Sequence, residues 1–203
     1  MALGTVCGSR RGFLRSLPLL AAGAALAWPR NALAAGSDLD AKRMLELADW
    51  TMLTMKTPNP VPYAAEIFDS KTGESLMRAT NAVGPEHDPS AHGEVRTIRL
   101  ACQKLGTSSL RGYTLYTTCE PCAMCMACCL WSGLDRVVYG ATIEDAAKFG
   151  SQIMIPSVEV QRRSDMRCVV DGPVEREHCL LLFTNPAMQA VFAKWRSAKS
   201  KRP

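Results

Sequence analysis

A membrane-spanning helix needs about 20 consecutive apolar residues, and this chain has no such run. Its longest, Leu17 to Ala27, is 11 residues and contains Pro18. An excess of one charge is also missing once residues 1–34 are set aside. That segment carries four arginines and no acid, so 24 basic residues against 19 acidic become 20 against 19. What basic character remains collects in a tail, at Lys194, Arg196, Lys199, Lys201 and Arg202, which reads as a solvated end. No broad positive field for wrapping a polynucleotide results, since such binding rests on neutralising phosphates. Internal repeats and low-complexity segments are absent beyond residue 34. Histidine is scarce, with three in 203 residues. His87 sits in a Pro-Glu-His-Asp-Pro loop and His178 on an apolar helix, and both read as solvated or locally satisfied. His92 alone stands in a pattern.

The first residues carry a targeting pattern. Ser9-Arg10-Arg11-Gly12-Phe13-Leu14-Arg15 precedes the short apolar run, and Ala32-Leu33-Ala34 supplies a small-residue cleavage signal. The paired arginines resemble a twin-arginine export signal; an ordinary secretory leader or a membrane anchor is the alternative. The expectation is a signal peptide over 1–34, read by the twin-arginine machinery, and a periplasmic domain over 35–203 with no anchor after cleavage. An apolar content of 47% is enough for one full core.

Periodicity orders the rest. Ser37, with Asp40 three residues on, opens a helix whose buried face is expected to include Leu39, Ala41, Leu45, Ala48, Met52 and Met55. The prolines at 58, 60 and 62 end it. Two strands, 63–68 and 76–82, flank a glycine-containing turn. Asp88-Pro89 predicts a helix start by N-cap and first-turn proline, ending near Gly106. A strand over 113–118, a helix from Pro121 to about Trp131 and a strand over 135–140 follow. A short helix over 143–149, a strand near 166–170 and helix from Glu175 complete the chain. Such alternation predicts an α/β fold with a partly parallel sheet covered on both faces.

Two motifs carry chemistry. His92-x-Glu94 is followed 28 residues after the glutamate by Cys122-Ala-Met-Cys125 behind Pro121. Cys122 and Cys125 are one helical turn apart, so both thiols can face one metal, and a helix N-terminus favours the thiolate that zinc binds. One imidazole and two thiolates leave one tetrahedral position open for water, the form of a catalytic zinc site. Glu94 is two residues from His92, off its helical face, and is expected to shuttle protons as the catalytic acid–base. Five cysteines crowd between 119 and 129, which argues for metal rather than disulfides. Export of an already folded, zinc-loaded chain would keep them reduced. Cys119 reads as packing, because a fourth thiolate would close the metal; Cys102, Cys168 and Cys179 read as buried small residues.

The stretches Asp88 to Val95 and Thr114 to Cys125 resemble the two halves of the cytidine deaminase-like superfamily site. They are most similar to bacterial guanine deaminases and tRNA adenosine deaminases, over roughly Ala41 to Trp195. The resemblance implies a three-layer α/β/α sandwich on a five-stranded mixed sheet, usually in a homodimer. It implies Zn²⁺ on His92, Cys122 and Cys125, with Glu94 catalytic. It also implies substrate contacts at Asn81, at Ala91 and Gly93 beside the histidine, and at Trp131, for which a core role is the alternative. Family members more often have alanine at the position of Gly93, which suggests a slightly more open pocket wall or a slightly freer backbone. After Gly150 the chain departs from guanine deaminases: Ser151-Gln152-Ile153 stands where they carry paired aspartates, one of which contacts the substrate. Guanine is then expected to be a poor substrate.

The expected reaction is zinc-dependent hydrolysis of an exocyclic amine on a small heterocycle, a nucleobase or nucleoside of purine type, with release of ammonia. Deamination of tRNA adenosine is the alternative, disfavoured by export and by the near-neutral charge. A periplasmic thiol oxidoreductase would share the leader and the Cys-x-x-Cys but would leave His92 and Glu94 unexplained. A purely structural zinc site lacks a fourth ligand.

Overall fold

The computed structural model describes residues 37–199; the expected leader lies outside the described residues. Helix α1 (Asp38–Met52) leads through a 3₁₀ turn (Leu53–Lys56) to β1 (Ala64–Asp69) and β2 (Ser75–Thr80). Then come α2 (Val83–Glu86), α3 (Gly93–Leu105), β3 (Tyr113–Cys119), α4 (Ala123–Ser132) and β4 (Arg136–Ala141). The chain continues with α5 (Ile143–Ala147), α6 (Ser157–Arg162), β5 (Val169–Asp171), α7 (Arg176–Thr184) and α8 (Pro186–Lys199). Among the described residues no helix is long and apolar enough to cross a membrane.

The strands form one sheet in the order β2-β1-β3-β4-β5. β1 runs antiparallel to β2 and β3, while β3, β4 and β5 are parallel. Successive strand side chains point to opposite faces, and the two cores follow that rule. Ala64 and Phe68 of β1, Tyr116 of β3 and Val138 of β4 pack with Met44 and Leu47 of α1 and Phe183 of α7. Ala65 and Ile67, Leu115 and Val137 pack with Ile98 of α3 and Leu130 of α4 on the other face. Each large side chain so buried contributes about 1.5–3 kcal/mol. The result is the expected three-layer α/β/α sandwich on a five-stranded mixed sheet.

Several local expectations need correction. The buried face of α1 is Asp40, Arg43, Met44, Leu47, Ala48 and Thr51, and Leu39 is 52% exposed. Asp40 is buried because Arg136 of β4 meets both its oxygens, Nη1 to Oδ1 at 2.8 Å and Nη2 to Oδ2 at 2.9 Å, while the Tyr116 hydroxyl donates to it. Asp88 does not cap α3. Its Oδ1 accepts from the Ser90 N–H at 2.8 Å and the Ser90 hydroxyl at 2.7 Å, which spends the carboxylate on a local turn, and the helix starts at Gly93. α4 likewise begins at Ala123, two residues after Pro121. The short helix α6 was not foreseen, and β5 lies at Val169–Asp171 rather than 166–170.

Candidate active site

The carboxyl ends of β2, β3 and β4 lie at one edge of the sheet, where open α/β sheets place their ligands. His92 is the N-cap residue of α3 and Cys122 that of α4, and neither side chain caps its own helix. Both are therefore available to a ligand between the two helix starts. Cys125, fully buried, comes from the first turn of α4.

The three donors form a tight triangle. Cys122 Sγ is 3.8 Å and Cys125 Sγ 3.5 Å from His92 Nδ1, and the sulfurs are 3.6 Å apart. Zinc bonds of about 2.3 Å to sulfur and about 2.0 Å to nitrogen, at the tetrahedral angle, put S···S at ~3.8 Å and S···N at ~3.5 Å. The triangle thus has the size of one face of a zinc tetrahedron, and the residues present fit the metal. A disulfide would need its sulfurs about 2.05 Å apart, and the eight cysteines of the described residues are all free.

Electrostatics agree with the donor set. A hydrogen bond from the Cys125 thiol, then one from His92, pulls the Cys122 thiol down to about 4 despite burial. The same sulfur contact, with burial, pushes Cys125 up. The hydrogen bond to Cys122 raises His92 above its ordinary value. Glu94 is 6% exposed, and burial pushes its carboxyl up to about 7. That places it where it can both take and return a proton near neutral pH.

A cavity of about 610 Å³ opens onto this group. Its walls include His92, Glu94, Cys122, Asn81, Tyr63 and Gln152, with Phe149 after α5 and Phe192 and Trp195 of α8 adding apolar surface. Glu120 also borders it but is spent on structure. Its Oε1 accepts from the N–H and hydroxyl of Ser157, both at 2.8 Å, and its Oε2 from the N–H of Ile143 at 3.2 Å. Cys119 is buried, with its thiol pushed up by that burial and directed at the Thr142 carbonyl, 3.8 Å away.

Not every expected contact comes together. Asn81 and Gln152 line the cavity; Ala91 is fully buried behind it. Gly93 does not open the wall: a Cβ there would stand 3.1 Å from Ala64 Cα, so the glycine lets α3 press against β1. Trp131 is 78% exposed and outside the cavity, because it follows the buried Leu130 near the far end of α4 and faces away from the sheet. Ile153 is 54% exposed and also outside, so of Ser151-Gln152-Ile153 the first two border the cavity and the third does not. Sequence reasoning missed Tyr63, Phe149, Phe192 and Trp195. Tyr63 carried one signal, an aromatic after the proline run at the mouth of a strand. The α8 residues carried none, since only the tertiary return of the C-terminal helix brings them to the site.

Comparisons with known proteins point to one family. Residues 40–141 match the cytidine and deoxycytidylate deaminase zinc-binding region. The chain is 36% identical over 108 residues to the guanine deaminase of Bacillus subtilis, covering 53% of this chain and 68% of that protein. It is 41% identical over 81 residues to the tRNA-specific adenosine deaminase of Aquifex aeolicus, covering 40% of this chain and 52% of that protein. The fold is similar to that of the guanine deaminase from Nitrosomonas europaea, with a TM-score of 0.66 at 23% identity over 76% of this chain and 86% of that one.

Proposed function

This chain belongs to the cytidine and deoxycytidylate deaminase family through its zinc-binding region, and on that premise we propose that it hydrolyses the exocyclic amine of a small nucleobase or nucleoside and releases ammonia. One observation carries the reading: a His–Cys–Cys face of zinc dimensions shares a cavity with a buried carboxyl held near neutrality.

His92 Nδ1, Cys122 Sγ and Cys125 Sγ would hold Zn²⁺, whose Lewis acidity activates water for attack at neutral pH. Glu94 accepts the proton of the attacking water and hands it to the ring nitrogen; it then carries the second proton, from the new hydroxyl, to the amine as the C–N bond breaks, leaving the oxo product and ammonia. Its burial keeps the carboxyl basic enough to take that proton and acidic enough to give it back. Asn81 anchors an edge of the heterocycle from the end of β2. The aromatic wall of Phe149, Phe192 and Trp195 holds the ring and limits bulk water.

Ammonia release from the zinc-loaded protein, tested against guanine, cytosine, adenine, their nucleosides and pteridine or triazine amines, tests this reading. Release from none of them rejects it. The similarity to tRNA-specific adenosine deaminases supports a second reading, adenosine to inosine in tRNA. The same protein incubated with tRNA decides between them, and the near-even charge beyond residue 34 favours the small substrate.

Two further elements belong to the proposal. Exposed apolar side chains, Trp131 on α4, Val158 on the adjoining α6 and Ile153 to Ile155 before it, support a homodimer covering this face. Sedimentation at micromolar concentration tests it, and a monomer there would refute it. The Arg10-Arg11 pattern supports twin-arginine export to the periplasm. Replacing both arginines with lysine should block export of a folded chain, while a general secretory leader would still work.

A further inference from the structure

Two polar side chains of the cavity wall play no part in the proton transfer, yet they meet there from distant parts of the chain. Tyr63 precedes β1, and Gln152 lies in the loop after α5. Gln152 Nε2 donates to Tyr63 Oη at 3.4 Å. The tyrosine ring is held edge-on against Phe183, with centroids 5.4 Å apart and planes at 83°, so the hydroxyl is fixed by packing rather than by the hydrogen bond. Burial keeps the phenol protonated, and its neighbours include Cys119, Glu94 and Cys122.

The pair has unspent capacity. Tyr63 Oη accepts from Gln152 and so retains its own proton for donation, while Gln152 retains Oε1 as an acceptor. Among the described residues no other hydrogen bond engages either group. Both residues border the cavity beside the proposed reacting groups, and neither carries charge.

We propose that Tyr63 and Gln152 act as one neutral reading element that sets which heterocycle is deaminated. Tyr63 O–H donates to an oxo oxygen, and Gln152 Oε1 accepts an adjacent ring N–H, on an edge other than the one that reacts. The substrate class is an aminated heterocycle with a lactam-type acceptor–donor edge. A ring with an amino group in place of the oxo group gives the phenol proton no acceptor there and turns an unprotonated ring nitrogen toward Gln152 Oε1, and sites built on buried hydrogen bonds discriminate strongly against such a mismatch. This inference rests on the deaminase reading for its meaning but can be measured without turnover.

The test uses the zinc-loaded protein and two ligands that have the lactam edge and no amine, pyrimidin-2-one and 2-hydroxypurine, with binding measured by calorimetry. Tyr63→Phe keeps the ring against Phe183 and removes only the hydroxyl. It should weaken binding of the preferred lactam by roughly tenfold and leave the melting temperature unchanged. Turnover is read on cytosine against 2,4-diaminopyrimidine and on isoguanine against 2,6-diaminopurine, each pair differing only in oxo or amino. Wild type should favour the oxo member by about tenfold or more in kcat/KM, mainly through KM. Tyr63→Phe should collapse that ratio, and Gln152→Glu, whose carboxylate cannot donate to Tyr63 and takes the phenol proton instead, should shift it toward the diamino member. Failure of either lactam to bind, or binding unaltered by Tyr63→Phe, would overturn the inference. Tyr63-dependent binding without ammonia release from any base would uphold it and reject the deaminase reading instead.

Discussion

Gly93 presses against Ala64: a methyl group on Gly93 would stand 3.1 Å from Ala64 Cα and 3.3 Å from the Tyr63 carbonyl oxygen. The contact is backbone to backbone, so no flexible side chain can give way. It sets the approach of α3 to β1, and Gly93 sits between His92 and Glu94. Gly93→Ala should therefore displace both neighbours by a few tenths of an ångström. The expected result is a loss of about 1–3 kcal/mol of stability from overpacking, against less than about 1 kcal/mol gained in helix propensity. kcat should fall with it. Thermal unfolding beside turnover checks this, and an alanine variant as stable and active as wild type would show that α3 is free to shift.

Glu94→Gln should retain zinc and fold while losing turnover. The amide fills the same buried space but cannot accept and return a proton, so kcat should drop by ~10²-fold or more. Metal analysis and circular dichroism establish that the variant is intact. Retention of more than about a tenth of wild-type kcat would move the proton transfer to another group.

Much of this site was legible in the sequence because its chemistry is local. His92 and Glu94 are two residues apart, Cys122 and Cys125 three, and such spacings define helix-start geometry before any tertiary contact is known. The alternation of Ala64 to Phe68 and of Leu115 and Tyr116 likewise marked strands with two buried faces. What stayed hidden depends on long-range pairing. Nothing near Asp40 announces that Arg136, 96 residues away, will neutralise it and turn that side of α1 inward. Gln152 was visible as a departure from guanine deaminases, but its partner Tyr63 is 89 residues away. Trp131 was misplaced because an aromatic on a helix beside a motif says nothing about which way the helix faces.

The Asp40–Arg136 pair should make stability depend on acid. Burial pushes the Asp40 carboxyl up, but hydrogen bonds from Arg136, Tyr116 and Ser37 outweigh it and hold the group at about 2, below its ordinary 3.8. A depressed folded value means that the contribution is fully present above about pH 4 and is lost as pH falls toward 2. The amount is about 2 kcal/mol. Urea unfolding of wild type and Asp40→Asn at several pH values isolates this group from other carboxylates. The variant should be less stable at pH 6, with the difference shrinking between pH 4 and 2. A difference that does not vary with pH would mean that Asp40 contributes by shape and neutral hydrogen bonding alone.

Metal removal should separate the roles of the two thiols. Chelation should abolish deamination, and added zinc should restore it at one ion per chain, because the His92–Cys122–Cys125 triangle has room for a single tetrahedral centre. Cys122 is half-buried at the N-cap of α4, whereas Cys125 is fully buried against the core. Cys122→Ala should therefore lose zinc and activity but keep most of its stability in the metal-free form. Cys125→Ala should lose both and also unfold earlier, since it removes a packed side chain as well as a ligand. Zinc stoichiometry and melting temperature, each measured with and without chelator, distinguish the two. Full zinc content in either variant would show that the metal is held elsewhere, and the assignment of this triangle as the metal centre would have to be abandoned.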